Sequence, residues 1–167
     1  RLEVLNRTGS DITLSINISV KHLMKNNFLD EIREIIETSQ IPEKNLEIEI
    51  TESVMIDSEK AFQSVEEIKK MGIRVAIDDF GTGFSSLSII HDLPWDVLKI
   101  DKSLLKGSQK EGSHEQIMFK SIISMAKNID LNCIVEGVET REDVRLLKES
   151  DCYLAQGYYF DKPLPEQ

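Results

Sequence analysis

Asp78 and Asp79 stand side by side, directly before Phe80-Gly81-Thr82-Gly83, and of all the residues in this chain they are best suited to chemistry. Of two carboxylates in succession, one can bridge a pair of divalent cations while its neighbour holds the second. Further polar residues, Asn17, Glu49, Lys99, Glu136 and Gln156, recur at or near the ends of short, mostly apolar stretches. Hard oxygen donors from separate strand ends can cage Mg²⁺ or Mn²⁺. Two such ions stabilise both the attacking and the leaving oxygen of an in-line phosphoryl displacement. A lysine beside them can orient the attacking water and offset developing charge. Three histidines, none in a ligand pair, argue against zinc.

Each residue also has a simpler structural reading. Asn17 or Ser19 could cap a helix, a strand glutamate usually faces solvent, and Lys99 could snorkel. Gln156 could be a hydrogen-bonded core amide, and the aspartates could only fix the turn at Gly81. Taken singly, the structural reading is preferred for all but the aspartate pair. Taken jointly it weakens, because six strand ends must then be polar by accident.

The elements that must position these residues alternate. Strands are expected at Ile12–Ile18, Leu46–Thr51, Ile73–Asp78, Val97–Asp101, Asn132–Glu136 and Tyr153–Gln156. Leu23, Phe28, Ile32, Ile35 and Ile36 form a helical stripe from about His22 to Thr38. Asp57 or Ser58 can cap a helix carrying Phe62, Val65 and Ile68 that stops at Gly72. Ser113 to Gln116 and Thr140 to Asp143 read as capping boxes, and Gly107–Gly112 as a mobile polar loop. Strand–helix alternation implies a parallel sheet covered by helices. Leu46, Ile48 and Ile50 share one strand face and Glu47 and Glu49 the other; Asp78 likewise lies opposite Ile73, Val75 and Ile77. Polar residues at the ends of many strands suit an α/β fold of the TIM-type (β/α) barrel kind, whose site is built from several strand ends. An open doubly wound sheet would carry a Gly-rich turn after its first strand, and none follows Ile12–Ile18.

A net charge of −10 over 167 residues argues against binding a nucleic-acid polymer through its backbone, while leaving a small phosphorylated ligand possible through cations. No apolar run is long enough for a membrane span. Cys133 and Cys152 stand in no metal-ligand spacing; Cys133 reads as a reduced core residue, and a cytoplasmic location fits.

Six segments together resemble, in order, the signatures of EAL domains. They are Asn17-Ile18-Ser19, Glu49-Ile50-Thr51-Glu52-Ser53, Asp78 to Gly83, Lys99-Ile100-Asp101, Glu136-Gly137-Val138-Glu139-Thr140 and Gln156-Gly157-Tyr158-Tyr159-Phe160. The resemblance implies a β/α barrel that hydrolyses cyclic di-GMP to linear 5′-pGpG with two Mg²⁺ or Mn²⁺ ions, as a homodimer in the parent domain. It implies that Asn17, Glu49 and Asp78 bind one metal and that Asp78 bridges to the second with Asp79 beside it. Lys99 and Glu136 would position or activate the water, and Gln156 would line the site. Glu52 would brace the loop at Gly81–Ser85, and Glu139 would support the site from behind. The Glu-Ala-Leu segment that names the family is absent upstream of Asn17, and six strands are visible where a closed barrel has eight. Residues 1–167 are therefore expected to be the C-terminal portion of an EAL domain, an incomplete barrel lacking its first strands and helices and one metal-binding Glu. Alone, such a piece is expected to be inactive and either poorly soluble or associated through its open edges. The alternative is a catalytically silent EAL module that senses cyclic di-GMP or a protein partner.

Overall fold

A computed structural model of the chain describes residues 12–39, 41–52, 59–82, 90 and 93–162. Six strands form one sheet in sequential order: β1 (Leu14–Asn17), β2 (Leu46–Thr51), β3 (Arg74–Phe80), β4 (Val97–Ile100), β5 (Asn132–Val135) and β6 (Leu154–Ala155). The pairs β1/β2, β4/β5 and β5/β6 are parallel. Between the strands lie α1 (Val20–Leu23), α2 (Phe28–Ser39), α3 (Glu59–Lys70), α4 (Lys102–Gly107), α5 (His114–Asn128) and α6 (Arg141–Glu149). The chain divides into two units, Arg1–Ile77 with Ser86–Asp96, and Asp78–Ser85 with Val97–Gln167.

In the first unit, β2 is buried over Leu46–Ile50, glutamates included, as befits a parallel strand covered on both faces. Glu47 is neutralised there by Arg74 at 3.4 Å and accepts a hydrogen bond from Ser15 Oγ at 3.0 Å. It is thus a structural ion pair inside the fold. Helix α2 packs on α3, with Phe28 and Ile32 buried on one and Ala61, Val65 and Ile68 on the other. Asp96 ties the ends of this unit: it pairs with Lys69 at 2.5 Å and accepts the Val75 N–H at 2.8 Å.

In the second unit, α5 covers β5 and packs on α4 through buried Phe119, Ile123 and Ala126. Thr140 and Asp143 form the expected capping box of α6.

Several boundaries differ from the sequence reading. The helix expected from about His22 to Thr38 breaks into α1 and α2. The poor helix formers Asn26 and Asn27 lie at the break, and Asn27 restarts the helix by accepting the Glu31 N–H at 3.0 Å. Ile35, expected on the buried stripe, is 43% exposed. At α5, Ser113 accepts the Gln116 N–H, but the Gln116 side chain accepts from Gly112 N–H at 3.0 Å, one residue short of a reciprocal box. Gly107–Gly112 is tied down rather than loose. Ser108 is fully buried and bonds the Leu104 and Glu115 carbonyls, while Gln109 Nε2 donates to Asp143 at 2.7 Å. The helix α4, capped by Asp101, was not among the helices read from the sequence, which ended a strand at Asp101. The expected caps Asp57 and Ser58 lie outside the described residues, as does the part of the expected Gly81–Ser85 loop beyond Thr82.

Candidate active site

The cluster forms where three strands end in the second unit. Strand β3 delivers Asp78, which is buried, and Asp79, which is half-buried with φ 55°. Aspartate tolerates this left-handed conformation better than most residues, and it breaks the strand's alternation so that two successive carboxylates can serve one place. The turn is held by Thr82, whose N–H and Oγ1 both donate to the Asp79 carbonyl, at 3.2 and 2.9 Å.

Strand β4 delivers Lys99, which is only 6% exposed. A buried ammonium needs anionic partners. Lys99 Nζ lies 3.2 Å from Asp78 Oδ1 and 2.8 Å from Glu136 Oε1. Glu136 follows β5 directly, and its N–H donates to the Ile100 carbonyl at 2.9 Å, so the β4/β5 pairing continues as far as the residue that carries the carboxylate.

Close backbone packing fixes the strand ends. A Cβ at Gly137, where φ is 65°, would lie 2.4 Å from Lys102 Cβ. A Cβ at Gly157 would lie 2.1 Å from the Val138 carbonyl oxygen. Gly157 thus lets the segment after β6 lie against the one after β5. Gln156 N–H donates to the Val135 carbonyl, and Val138 N–H donates to the Gln156 carbonyl. The Gln156 side chain is exposed, so it is not a core amide.

Asp78, Asp79 and Glu136 each offer a carboxylate oxygen within 4.8 Å of the others. Asp78 Oδ1 is buried and makes no aligned hydrogen bond, its contact with Lys99 being an ion contact only. That oxygen therefore keeps a lone pair for a cation, and the donor set fits a hard divalent ion. Asp101, in the same motif as Lys99, serves the fold instead, capping α4 by accepting the Ser103 N–H at 2.8 Å. Burial pushes its pKa up, but the hydrogen bonds from Ser103 and Lys102 and the Lys102 charge outweigh this and hold it below the ordinary value.

Of the other expected site residues, Asn17 and Glu49 are register partners on β1 and β2 in the first unit; Asn17 ends β1, and Glu49 lies two residues before the end of β2. Glu49 and Glu52 are buried. Glu139 is exposed; its carboxylate faces Lys106 at 4.0 Å, and its N–H donates to Asp143. The brace from Gln109 to Asp143, which helps fix the segment after Glu136, has no counterpart in the sequence reading: nothing local marks a glutamine for a carboxylate 34 residues away.

The EAL domain family matches residues 2–163, and the chain belongs to it. It is 34% identical over 166 residues to the cyclic di-GMP phosphodiesterase NbdA of Pseudomonas aeruginosa, covering 98% of this chain and 21% of that protein. Among solved structures it resembles the phosphodiesterase PaMucR in complex with c-di-GMP, with 28% identity and a TM-score of 0.88, over 96% of this chain and 65% of that one. It also resembles Klebsiella pneumoniae BlrP1 in its manganese and cyclic di-GMP complex, with 25% identity and a TM-score of 0.85, over 95% of this chain and 41% of that one. The chain spans about a fifth to a quarter of the length of the curated relatives it matches. The fold is therefore α/β, a TIM-type barrel of which six parallel strands are present. No helix among the described residues is long and apolar enough to cross a membrane.

Proposed function

We propose that this chain carries the core of a bacterial signalling phosphodiesterase that hydrolyses cyclic di-GMP to linear 5′-pGpG with two Mg²⁺ or Mn²⁺ ions. The observation that carries the reading is the Lys99 ammonium held between Asp78 and Glu136, with Asp79 completing a carboxylate cluster, in a member of the EAL family. The relatives of the chain include the cyclic di-GMP phosphodiesterase NbdA, and the neighbours PaMucR and BlrP1 were solved with the dinucleotide.

In this reading Asp78 and Asp79 hold the ions, with Asp78 as the bridge. When bound, such ions polarise a phosphoryl oxygen and make water acidic enough to attack at neutral pH. Asn17 and Glu49 complete the ligand set on the strength of the family resemblance alone. Glu136 accepts a proton from the attacking water, and Lys99 fixes the Glu136 carboxylate and offsets charge on the phosphoryl oxygens. Gln156 lines the site; Glu52 and Glu139 support its loops. The parent protein acts in the cytoplasm as a homodimer.

Glu136→Gln in the full-length protein tests the assignment. It keeps the shape of the side chain and removes the proton acceptor, so turnover should fall by about 10²-fold or more with KM little changed. Unchanged turnover would remove Glu136 from the chemistry. Tight dinucleotide binding with no product in the wild-type protein would favour the sensor reading instead.

A further inference from the structure

Sharing no residue with the carboxylate cluster, a cavity of about 350 Å³ lies in the second unit between α6 and the stretch that joins α4 to α5. Small-molecule sites run from about 300 to 1,000 Å³. Glu142, Arg145 and Glu149 line it from α6, where helical spacing puts them on one face with the buried Leu146. Gln109, Glu111 and Gln116 line it from the opposite side.

Gln116 sets this place apart from a solvated acidic surface. Its side chain is on the cavity wall, yet the residue is only 9% exposed. Its Oε1 accepts the Gly112 N–H at 3.0 Å, while its Nε2 has no protein partner among the described residues. Buried polar groups are as a rule hydrogen-bonded, so this donor requires an acceptor from within the cavity. Glu142, in the first turn of α6, also favours that helix by its charge; no such local role exists for the Gln116 donor.

The charges on the wall say what the occupant must carry. Arg145 Nε lies 3.6 Å from Glu149 Oε1, and Lys120 lies 3.9 Å from Glu149 Oε2. Glu149 is thereby balanced, and the terminal nitrogens of Arg145 remain as donors. Glu111 and Glu142 have no ion partner among the described residues. Gln109 Nε2 donates to Asp143 at 2.7 Å, which leaves the Gln109 oxygen as a further acceptor. The wall thus combines two unpaired carboxylates with an amide donor and a guanidinium.

We propose that this cavity binds a free amino acid with a cationic side chain, arginine or lysine. Its α-carboxylate accepts from Gln116 Nε2 and the Arg145 guanidinium, and its cationic groups pair with Glu111 and Glu142. Other ligand classes match the wall less well. A metal ion needs converging carboxylates, and among the described residues only Asp78, Asp79 and Glu136 come within 4.8 Å of one another as a group of three. A polyamine would leave the Gln116 donor without an acceptor and set a cation beside Arg145. An anion would face Glu111 and Glu142.

Titration calorimetry of L-arginine and L-lysine into the full-length protein tests the site without reference to phosphodiesterase activity. The expected result is saturable binding with a dissociation constant of about 1 mM or tighter. Agmatine, which is arginine without its carboxylate, and L-glutamate should each bind weaker by about tenfold or more. Gln116→Glu keeps an acceptor for Gly112 and replaces the donor with an oxygen; it should weaken arginine binding by about tenfold or more. Glu142→Gln, at an exposed position, should weaken it by about threefold. Thermal melts of both variants show whether the fold is kept. Should Gln116→Glu fail to fold, Glu142→Gln and the comparison of arginine with agmatine still decide the matter. Absence of saturable binding of either amino acid to the wild-type protein would overturn the proposal. So would arginine binding that both substitutions leave unchanged, or glutamate or agmatine bound as tightly as arginine.

Discussion

Lys99 Nζ lies 2.8 Å from Glu136 Oε1, joining the β4 residue to the first residue past β5. The same ammonium reaches Asp78 on β3 at 3.2 Å. One cation therefore sets the spacing of carboxylates from two strands. Lys99→Met, which keeps the length and removes the charge, should lower turnover by about 10² to 10⁴-fold while changing dinucleotide affinity far less. Steady-state kinetics beside equilibrium binding would show this. A loss confined to affinity would make Lys99 a binding group only.

Asp78 is the proposed bridge, and its buried Oδ1 has no aligned hydrogen bond. Asp78→Asn should weaken Mg²⁺ or Mn²⁺ binding by about tenfold or more. Titration calorimetry without substrate reads this independently of activity. Unchanged metal affinity would contradict the placement of the ions at this cluster.

Much of this arrangement was legible in the sequence because strand chemistry is local. Alternation along Leu46–Thr51 separates Ile48 and Ile50 from Glu47 and Glu49, and β2 has these bounds. The Asp78-Asp79 pair and the Thr140 to Asp143 box were likewise visible, since each uses neighbours in the chain. Long-range partners were not. Nothing local says that Arg74 neutralises Glu47, or that Gln109 reaches Asp143 and anchors a polar stretch that reads as loose. The break between α1 and α2 was hidden because apolar spacing continues across Asn26 and Asn27 while the backbone does not.

Asp143 offers a pH test. Burial raises its pKa, but hydrogen bonds from the Glu139 and Thr140 N–H groups, the Thr140 side chain and Gln109 outweigh burial and leave it lowered. A depressed folded-state pKa gives stability that is fully present above the unfolded value near 3.8 and is lost as pH falls through the folded value. Asp143→Ala should therefore cost about 2 kcal/mol at neutral pH, and its stability should fall less steeply than the wild type's below pH 4. Urea melts across that range would show parallel acid limbs if Asp143 were irrelevant.

Gly157 tests the packing behind the site. Its Cβ position is occupied by backbone of Val138, which has no side-chain rotamer to yield. Gly157→Ala should destabilise the fold by about 3 kcal/mol, seen as a lowered Tm. Gly112→Ala is the control for mere loss of glycine, since its Cβ would meet nothing within 4 Å although φ is 71°; it should cost only about 1 kcal/mol. Equal losses at the two positions would mean that the contact with Val138 has no energetic weight.

Metal-dependent hydrolysis is tested most directly by following cyclic di-GMP incubated with the full-length protein, by chromatography, with Mg²⁺ or Mn²⁺ and then with excess chelator. The expected result is steady conversion to linear 5′-pGpG with either ion, abolished by chelation and restored by adding metal. Intact cyclic dinucleotide under all these conditions, or hydrolysis that continues unchanged in chelator, would contradict it.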